Sequence, residues 1–286
     1  MYCIVNCLYF GYQNNLNTQQ KNNRRISVRA KKSLGQHFLT SQKVVDIIVA
    51  EAKLTRSDTV LEIGPGRGIL THALLQIAGH VIAVEKDEKL THKLELQFKH
   101  DVDQKKLTLI PTDILTLPFG KYIPKDYTVV ANIPYYITGR LLRKLLSGKW
   151  QPKRVVLMLQ HEVAERIVAR TGKESLLSIG VRAYGTPRYI FKVYKRHFKP
   201  QPKVDSAVLS IENISRSFFK KRDEKLFFQL VRNGFSHKRK LLKRNVEPFF
   251  TKNTERVFLK CGIRSNIRAE EVSLKQWGCL ADKISG

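Results

Sequence analysis

The stretch Thr59–Leu70, Thr-Val-Leu-Glu-Ile-Gly-Pro-Gly-Arg-Gly-Ile-Leu, restricts the fold more than any other part of this 286-residue chain. Thr59 to Ile63 is β-branched and apolar enough for a buried strand. Gly64, Gly66 and Gly68 follow at once, and an apolar helical pattern then runs through Leu70, Leu74 and Leu75. Glycine lacks a Cβ, so the chain can turn tightly and lie against a ligand. The helix start beside it offers unpaired N–H groups. Strand, glycine turn and helix in that order predict a nucleotide-cofactor site in an α/β sheet. The next strand, His80 to Val84, ends in Glu85, about twenty positions beyond the first glycine, where an acid can accept from a ribose hydroxyl pair.

The spacing is G-x-G-x-G with a proline inside the turn, not the G-x-G-x-x-G of dinucleotide folds. Glu-x-Gly-x-Gly-x-Gly with a downstream acid resembles the S-adenosylmethionine (SAM) loop of class I methyltransferases. That resemblance implies a Rossmann-like α/β sheet binding SAM, with Gly64, Gly66 and Glu85 at the cofactor. Leu107 to Ile110 reads as a third strand, closed by Pro111-Thr112-Asp113. Asp113 can accept from the amino group of the SAM adenine or simply cap the turn.

Tyr127 to Ala131 reads as a fourth strand running into Asn132-Ile133-Pro134-Tyr135. Open α/β sheets bind ligands at the carboxyl ends of their strands, near the switch in strand order. Asn-x-Pro-Tyr there resembles the catalytic motif of amino-methyltransferases acting on planar nitrogens. The chemistry suits those residue types. The N6 amine of adenine is a poor nucleophile because its lone pair is delocalised into the ring. The Asn132 side-chain carbonyl and a backbone carbonyl (Ile133 or Pro134) can accept from its two N–H groups and favour a tetrahedral nitrogen. Pro134 stiffens the loop, alignment supplies much of the rate, and Tyr135 can stack on the base for about 1–3 kcal/mol. An adenine in RNA must be unpaired or flipped to reach such a pocket.

Three further segments make the resemblance specific. They are Lys-Lys-Ser-Leu-Gly-Gln-His-Phe-Leu (31–39), Leu-Met-Leu-Gln-His-Glu-Val-Ala-Glu-Arg (157–166) and Phe-Lys-Pro-Gln-Pro-Lys-Val-Asp-Ser (198–206). Together with the glycine loop and Asn-Ile-Pro-Tyr they resemble the KsgA group of rRNA adenine N6,N6-dimethyltransferases, in the family that includes the Erm resistance methyltransferases. The resemblance implies that residues 31–39 cover the cofactor, with His37 and Leu39 touching SAM. Many members carry Asn where His37 stands, and the alternative for His37 is a surface histidine. It further implies that Asp113 meets the SAM adenine, that Asn132 and Pro134 seat the target amine, and that Phe198 faces Tyr135 across the base. The implied substrate is two neighbouring adenosines in the hairpin loop near the 3′ end of small-subunit rRNA. Rivals are an Erm-type enzyme acting on one large-subunit adenine and a non-catalytic ribosome-assembly or nucleic-acid-binding factor. His161 and Glu162 are read as a helix start, not a metal pair.

Charge supports a nucleic-acid partner. The chain carries 52 Lys plus Arg against 24 Asp plus Glu, a net +28, an excess suited to phosphate contacts. Residues 1–30 are expected to be a poorly ordered basic tail; no acid precedes Asp46, which also fits an organelle transit peptide. Residues 31–212 form the expected catalytic domain. From 213 to 286 the composition turns basic, with 18 Lys plus Arg against 7 Asp plus Glu, and helical. Helices are expected over 223–234 and 236–246. The patch containing Lys238, Arg239, Lys240, Lys243 and Arg244 is the candidate RNA face, a solvated charged helix being the ordinary alternative. The four cysteines form no C-x-x-C pair and need no disulfide, which predicts a reducing, cytoplasmic setting. No apolar run is long enough to span a bilayer. The expected partner is a pre-30S particle, and the expected acting unit a monomer without metal.

Overall fold

Alternating apolar strands and amphipathic helices fold this chain, seen in a computed structural model describing residues 35–250 and 253–284, around one mixed sheet. The expected basic tail and residues 31–34 lie outside the described residues. In chain order come β1 (Phe38–Leu39), α1 (Gln42–Ala52), β2 (Thr59–Ile63), α2 (Ile69–Ile77), β3 (His80–Glu85), α3 (Glu88–Gln97), β4 (Leu107–Pro111) and β5 (Thr128–Asn132). There follow α4 (Thr138–Ser147), β6 (Arg154–Gln160), α5 (His161–Ile167), α6 (Leu176–Arg182), β7 (Thr186–Val193), β8 (Phe198–Lys199) and β9 (Ser206–Glu212). The chain then turns wholly helical among the described residues, with α7 (Glu224–Gly234), α8 (Leu242–Phe250), α9 (Thr254–Lys260) and α10 (Leu274–Asp282).

The seven-stranded sheet has the order β4-β3-β2-β5-β6-β9-β7. The first five strands run parallel, and β9 runs antiparallel to β6 and β7. This is the expected Rossmann-like arrangement. The chain leaves β2 outward through β3 and β4, then returns to lay β5 against the other side of β2. The crevice between the carboxyl ends of β2 and β5 is therefore where a ligand belongs. β2 and β5 are almost fully buried, as parallel strands covered on both faces should be.

Helix spacing fixes which faces pack. In α1, Val44, Val45, Ile48, Val49 and Ala52 form the buried stripe, one turn apart. Ser41 holds the N-cap position of α1, but its side chain makes no capping hydrogen bond. One apolar cluster lies on this side of the sheet and includes Val60, Leu74, Leu75 and Phe198. The cluster on the other side runs without a break from Leu61 and Val129 through Leu141 and Leu145 to Phe227, Leu242, Phe258 and Trp277. The C-terminal helices thus share a core with the sheet.

Two expectations about the C-terminal part need correction. The helix expected over 236–246 begins at Leu242 instead, and Ser236–Leu241 is a turn. Asn245 fastens that turn by donating to the carbonyls of Gly234 at 2.8 Å and His237 at 3.3 Å. Helical periodicity could not register this, because Lys238, Arg239 and Lys240 are exposed. The cysteines are not all unpaired either. Cys261 and Cys279 form a disulfide across 18 positions, because the ends of α9 and α10 meet with Cα atoms 5.7 Å apart. Ser175–Tyr184, compatible with helix or strand by sequence, is helical over α6, capped by a reciprocal Ser175–Ser178 pair.

Gly234 is where α7 meets α10 most tightly. A Cβ there would lie 2.2 Å from the Trp277 ring and 3.1 Å from Leu242. Ala would add about 1 kcal/mol of helix propensity, less than the strain of an overpacked core. Gly234→Ala is expected to lower stability by a net ~1–2 kcal/mol in urea denaturation; a stabilised variant would show that Trp277 is free to move aside.

Candidate active site

The site is assembled where the glycine loop leaves β2. Gly64, Gly66 and Gly68 all have positive φ, at 69°, 60° and 80°. The space is as restrictive as the angle. A Cβ on Gly66 would meet the Phe38 ring at 3.0 Å, and one on Gly68 would meet Phe98 at 2.6 Å. The loop therefore presents backbone to the crevice, and α2 starts directly behind it.

Glu85 ends β3 and holds the loop. One carboxylate oxygen accepts from the Gly66 N–H at 3.2 Å and the other from the Asp87 N–H at 3.0 Å. Burial raises the Glu85 pKa; the N–H groups of Asp87 and Gly66 offset part of this. Beside it on β2 stands Glu62, a residue whose motif position was noted in the sequence but which was not assigned a role. It is 1% exposed, and neither carboxyl oxygen has a hydrogen-bond partner of proper geometry. Burial pushes its pKa up to about 8; the nearby Thr71 lowers it somewhat and the charge of Glu85 raises it further. Its sequence signals were its place at the head of the glycine motif and an acid inside an otherwise apolar strand.

Residues 35–39 form the roof. β1 pairs with β8, Phe38 opposite Lys199 and Leu39 opposite Phe198, and Thr40 donates to His197. The Arg67 guanidinium lies 4.6 Å over the Phe38 ring, which closes the roof onto the glycine loop. His37, Leu39, Gly64, Gly66, Glu85, Asn132, Pro134 and Tyr135 line a single cavity, joined by Glu62 and Lys86.

Asn132 is the last residue of β5. Its amide N–H donates to the His37 carbonyl at 3.3 Å, and Oδ1 accepts no hydrogen bond among the described residues. The Pro134 carbonyl accepts from Ile137, whereas that of Ile133 has no such partner. The Tyr135 hydroxyl is 2.8 Å from Ser206 Oγ on β9, and burial raises its pKa. The His37 ring lies nearly parallel to Tyr135, at 21° and a centroid separation of 6.3 Å.

Two sequence candidates stand elsewhere. Phe198 is 3% exposed, packed in the apolar cluster behind the roof, and does not line the cavity. Asp113 also lies off the cavity wall: one oxygen pairs with Lys86 at 3.0 Å and the other accepts from the Leu115 N–H at 2.9 Å. Burial favours its neutral form, but Leu115 and the Lys86 ammonium outweigh it and hold the carboxyl below its usual range. The residues expected to bind RNA lie apart from the crevice. Lys238, Arg239, Lys240 and Arg244 are exposed, and Lys243 pairs with Glu255. Lys238 also lines a second cavity of about 1100 Å³, walled by α4, α5, α6 and α7. Arg143, Arg166 and Arg232 line it from three helices and make no ion pair among the described residues. Dispersed through the sequence, they form no charge run to notice. His161 starts α5 and sits 3.5 Å from Glu165.

The profile of the ribosomal RNA adenine dimethylase family matches residues 27–285. Ribosomal RNA small subunit methyltransferase A of Dehalococcoides mccartyi is 41% identical over 268 residues, 91% of this chain and 90% of the relative. The same-named protein of Clostridium acetobutylicum is 36% identical over 266 residues, 91% of this chain and 95% of the relative. Among solved structures, a dimethyladenosine transferase from Plasmodium falciparum superposes with a TM-score of 0.72 at 27% identity, covering 87% of this chain and 98% of its own. The 23S rRNA methyltransferase ErmE gives 0.70 at 24% identity, over 87% of this chain and 100% of its own, a likeness of fold.

The buried Glu62 makes stability depend on pH. Its folded pKa is raised, so the native state holds a proton that the unfolded chain releases near the ordinary glutamate value of 4.5. Stability from this group is full below that value and is lost as pH rises toward about 8. Glu62→Gln should therefore become increasingly more stable than wild type across this window, by up to about 1.4 kcal/mol per pH unit, in denaturation series at several pH values. A difference that does not grow with pH would show that Glu62 is ionised in the fold.

Proposed function

Because the chain belongs to the ribosomal RNA adenine dimethylase family, we propose that it uses SAM to dimethylate N6 of two adjacent adenosines in the 3′-terminal hairpin loop of small-subunit rRNA. The observation that carries this reading is Asn132: its amide N–H is spent on His37, so its carbonyl oxygen is left for a ligand at the end of β5.

The residues present fit the cofactor. Glu62 is an orphaned buried acid on the cavity wall, which suits a cationic ligand. The loop at Gly66 leaves no room for a side chain. In this reading Gly64, Gly66 and Leu39 enclose the cofactor, and His37 and Asn132 border it. Glu85 offers its remaining lone pairs to the ribose. Asp113 meets the adenine end only if its pairing with Lys86 gives way, so Lys86 is part of that contact. When bound, SAM supplies a methyl group on a positively charged sulfur.

The protein's part is to position the amine. Asn132 Oδ1 and the Ile133 carbonyl accept its two N–H groups, and the nitrogen lone pair then points along the line of transfer. Pro134 keeps the two acceptors in register. Tyr135, pinned by Ser206, stacks on the base. No strong base is needed before attack, since the amine becomes acidic as it is alkylated. RNA outside the pocket is held by Lys238, Arg239, Lys240 and Arg244, with Lys243 once released from Glu255, and by Arg143, Arg166 and Arg232 along the groove. The expected substrate is the pre-30S particle, and one copy of the chain contains every site residue named. A cytoplasmic setting is retained here on the relatives' named substrate, since the cysteines no longer argue for it. No helix among the described residues is long and apolar enough to cross a membrane.

Two experiments test this reading. Methyl transfer from labelled SAM to unmethylated small-subunit particles should yield N6,N6-dimethyladenosine at both loop adenosines, and Asn132→Ala should slow turnover about a hundredfold or more. Label on one large-subunit adenine would place the chain with the Erm type; tight particle binding without transfer would make it an assembly factor. RNA affinity should fall steeply with salt, and Arg244→Ala or Arg232→Ala should each reduce the slope of log K against log salt by about 1. A slope unchanged in both variants would remove Arg244 and Arg232 from the RNA surface.

A further inference from the structure

We propose that the turn joining β7 to β8, with the segment after β8, is a second phosphate-binding surface, which holds the RNA strand leading into the cavity. Its contacts are Lys195, Arg196, Lys199 and Lys203. This inference rests on the adenine-methylation reading above and adds a contact beside the roof to those at residues 238–244 and along the groove.

The sequence carries the first observation. No acid occurs from Ser175 to Val204, and Lys192, Lys195, Arg196, Lys199 and Lys203 crowd into the end of that stretch. All five cations and Tyr194 are exposed, whereas Val193, Phe198 and Pro202 between them are buried. The buried residues anchor the segment and leave the charges on its outer side. Lys192 pairs with Asp205 at 3.0 Å, but Lys195, Arg196, Lys199 and Lys203 form no ion pair among the described residues. Tyr194 gathers two of the charges, with Lys192 Nζ 5.3 Å and Arg196 Cζ 4.7 Å from its ring centroid. Asp205 accepts from the Lys195 N–H at 2.9 Å and so shapes the turn. Like charges crowded into one turn repel one another, and a polyanion removes that cost.

A solvated charged turn is the ordinary alternative; position weighs against it. β8 pairs with β1, Phe38 opposite Lys199 and Leu39 opposite Phe198. Thr40 donates to the His197 carbonyl through both its N–H and its hydroxyl, each at 2.9 Å. His37, Phe38 and Leu39 line the cavity. The basic segment is thus bonded along its backbone to the cavity roof. A base that enters the cavity carries its flanking phosphates to the rim, within reach of long cationic side chains there. Such contacts set register and affinity without reading sequence.

Two paired variants test this surface, Lys195→Ala/Arg196→Ala and Lys199→Ala/Lys203→Ala. All four side chains are exposed, so the fold is kept, and a urea curve checks this. Affinity for unmethylated small-subunit particles is measured across a salt series. Each pair should take about 2 from the slope of log K against log salt, about 1 per cation removed. In steady-state methyl transfer the KM for the particle should rise about tenfold, with kcat and SAM affinity within about twofold of wild type. Lys195→Arg/Arg196→Lys should keep the wild-type slope. Lys121→Ala/Lys125→Ala is the reference pair. It removes the same charge from exposed positions just before β5, at the end of that strand opposite the cavity, and should leave slope and KM near wild type. Equal losses in the reference pair would reduce the effect to net charge and overturn the proposal, as would wild-type slopes in both test pairs. Wild-type protein that methylates no adenosine would remove the methylation reading; the salt slopes are read on binding alone and still decide the surface.

Discussion

The carboxylate of Glu85 is the contact on which the site depends. It stands at the end of β3 and accepts from the Gly66 N–H, so the glycine loop hangs from the neighbouring strand as well as from its own. A loop of three positive-φ glycines has much backbone freedom to lose. Charge-assisted hydrogen bonds to a buried acid are strong enough to hold it in one shape. Phe38 then packs over Gly66, and β1 ties that roof to β8. Strand, loop and roof become one rigid unit, and Asn132 is joined to it through the His37 carbonyl.

What the sequence revealed follows from this dependence on local pattern. The glycine loop, Glu85 and Asn-Ile-Pro-Tyr were legible because their roles sit at strand ends, and each strand announces itself by a short apolar run. The parallel order and the crevice between β2 and β5 followed from the alternation of strands and helices. Phe198 lies off the cavity wall because burial is decided by what packs across it. Nothing near it in sequence shows that β1 will pair with β8 and shut it in. Asp113 is engaged elsewhere for the same kind of reason: Lys86 lies 27 positions earlier and becomes its partner only when β3 and β4 align. The turn over 236–241 depends on one side chain, Asn245, reaching back to two carbonyls. The disulfide depends on how α9 and α10 meet. The β1–β8 pairing joins segments remote in sequence, while the turn is one side chain reaching 8 and 11 positions back.

The segment 198–206 acquires a different meaning once those contacts are known. Phe198 fills the core behind the roof. Asp205 accepts from the Lys195 N–H at 2.9 Å and pairs with Lys192 at 3.0 Å, fastening the connection between β7 and β9. Ser206 holds the Tyr135 hydroxyl, and the Pro200 carbonyl holds His37. Two residues of this loop thus hold side chains on the cavity wall, Tyr135 and His37. Motif residues of this kind are easily taken for contacts with a ligand, because positioning and contact restrict residue type alike.

The neutrality of Asn132 bears on how one pocket could act twice on the same nitrogen. In the proposed site an unmodified amine has two N–H groups for two acceptors, Asn132 Oδ1 and the Ile133 carbonyl. After one methylation a single N–H remains, so one acceptor goes without a partner in the second round. An unsatisfied neutral acceptor costs about 1–3 kcal/mol, a cost of the size that stacking of the base on Tyr135, as proposed, can offset. A carboxylate in that place would be far more costly to leave unpaired in a buried pocket. The site already keeps its acids away from the amine: Glu85 is engaged with backbone N–H groups, and burial holds Glu62 toward its neutral form. An uncharged acceptor at the end of β5, as proposed, is the arrangement that tolerates the loss of a hydrogen between the first methyl and the second.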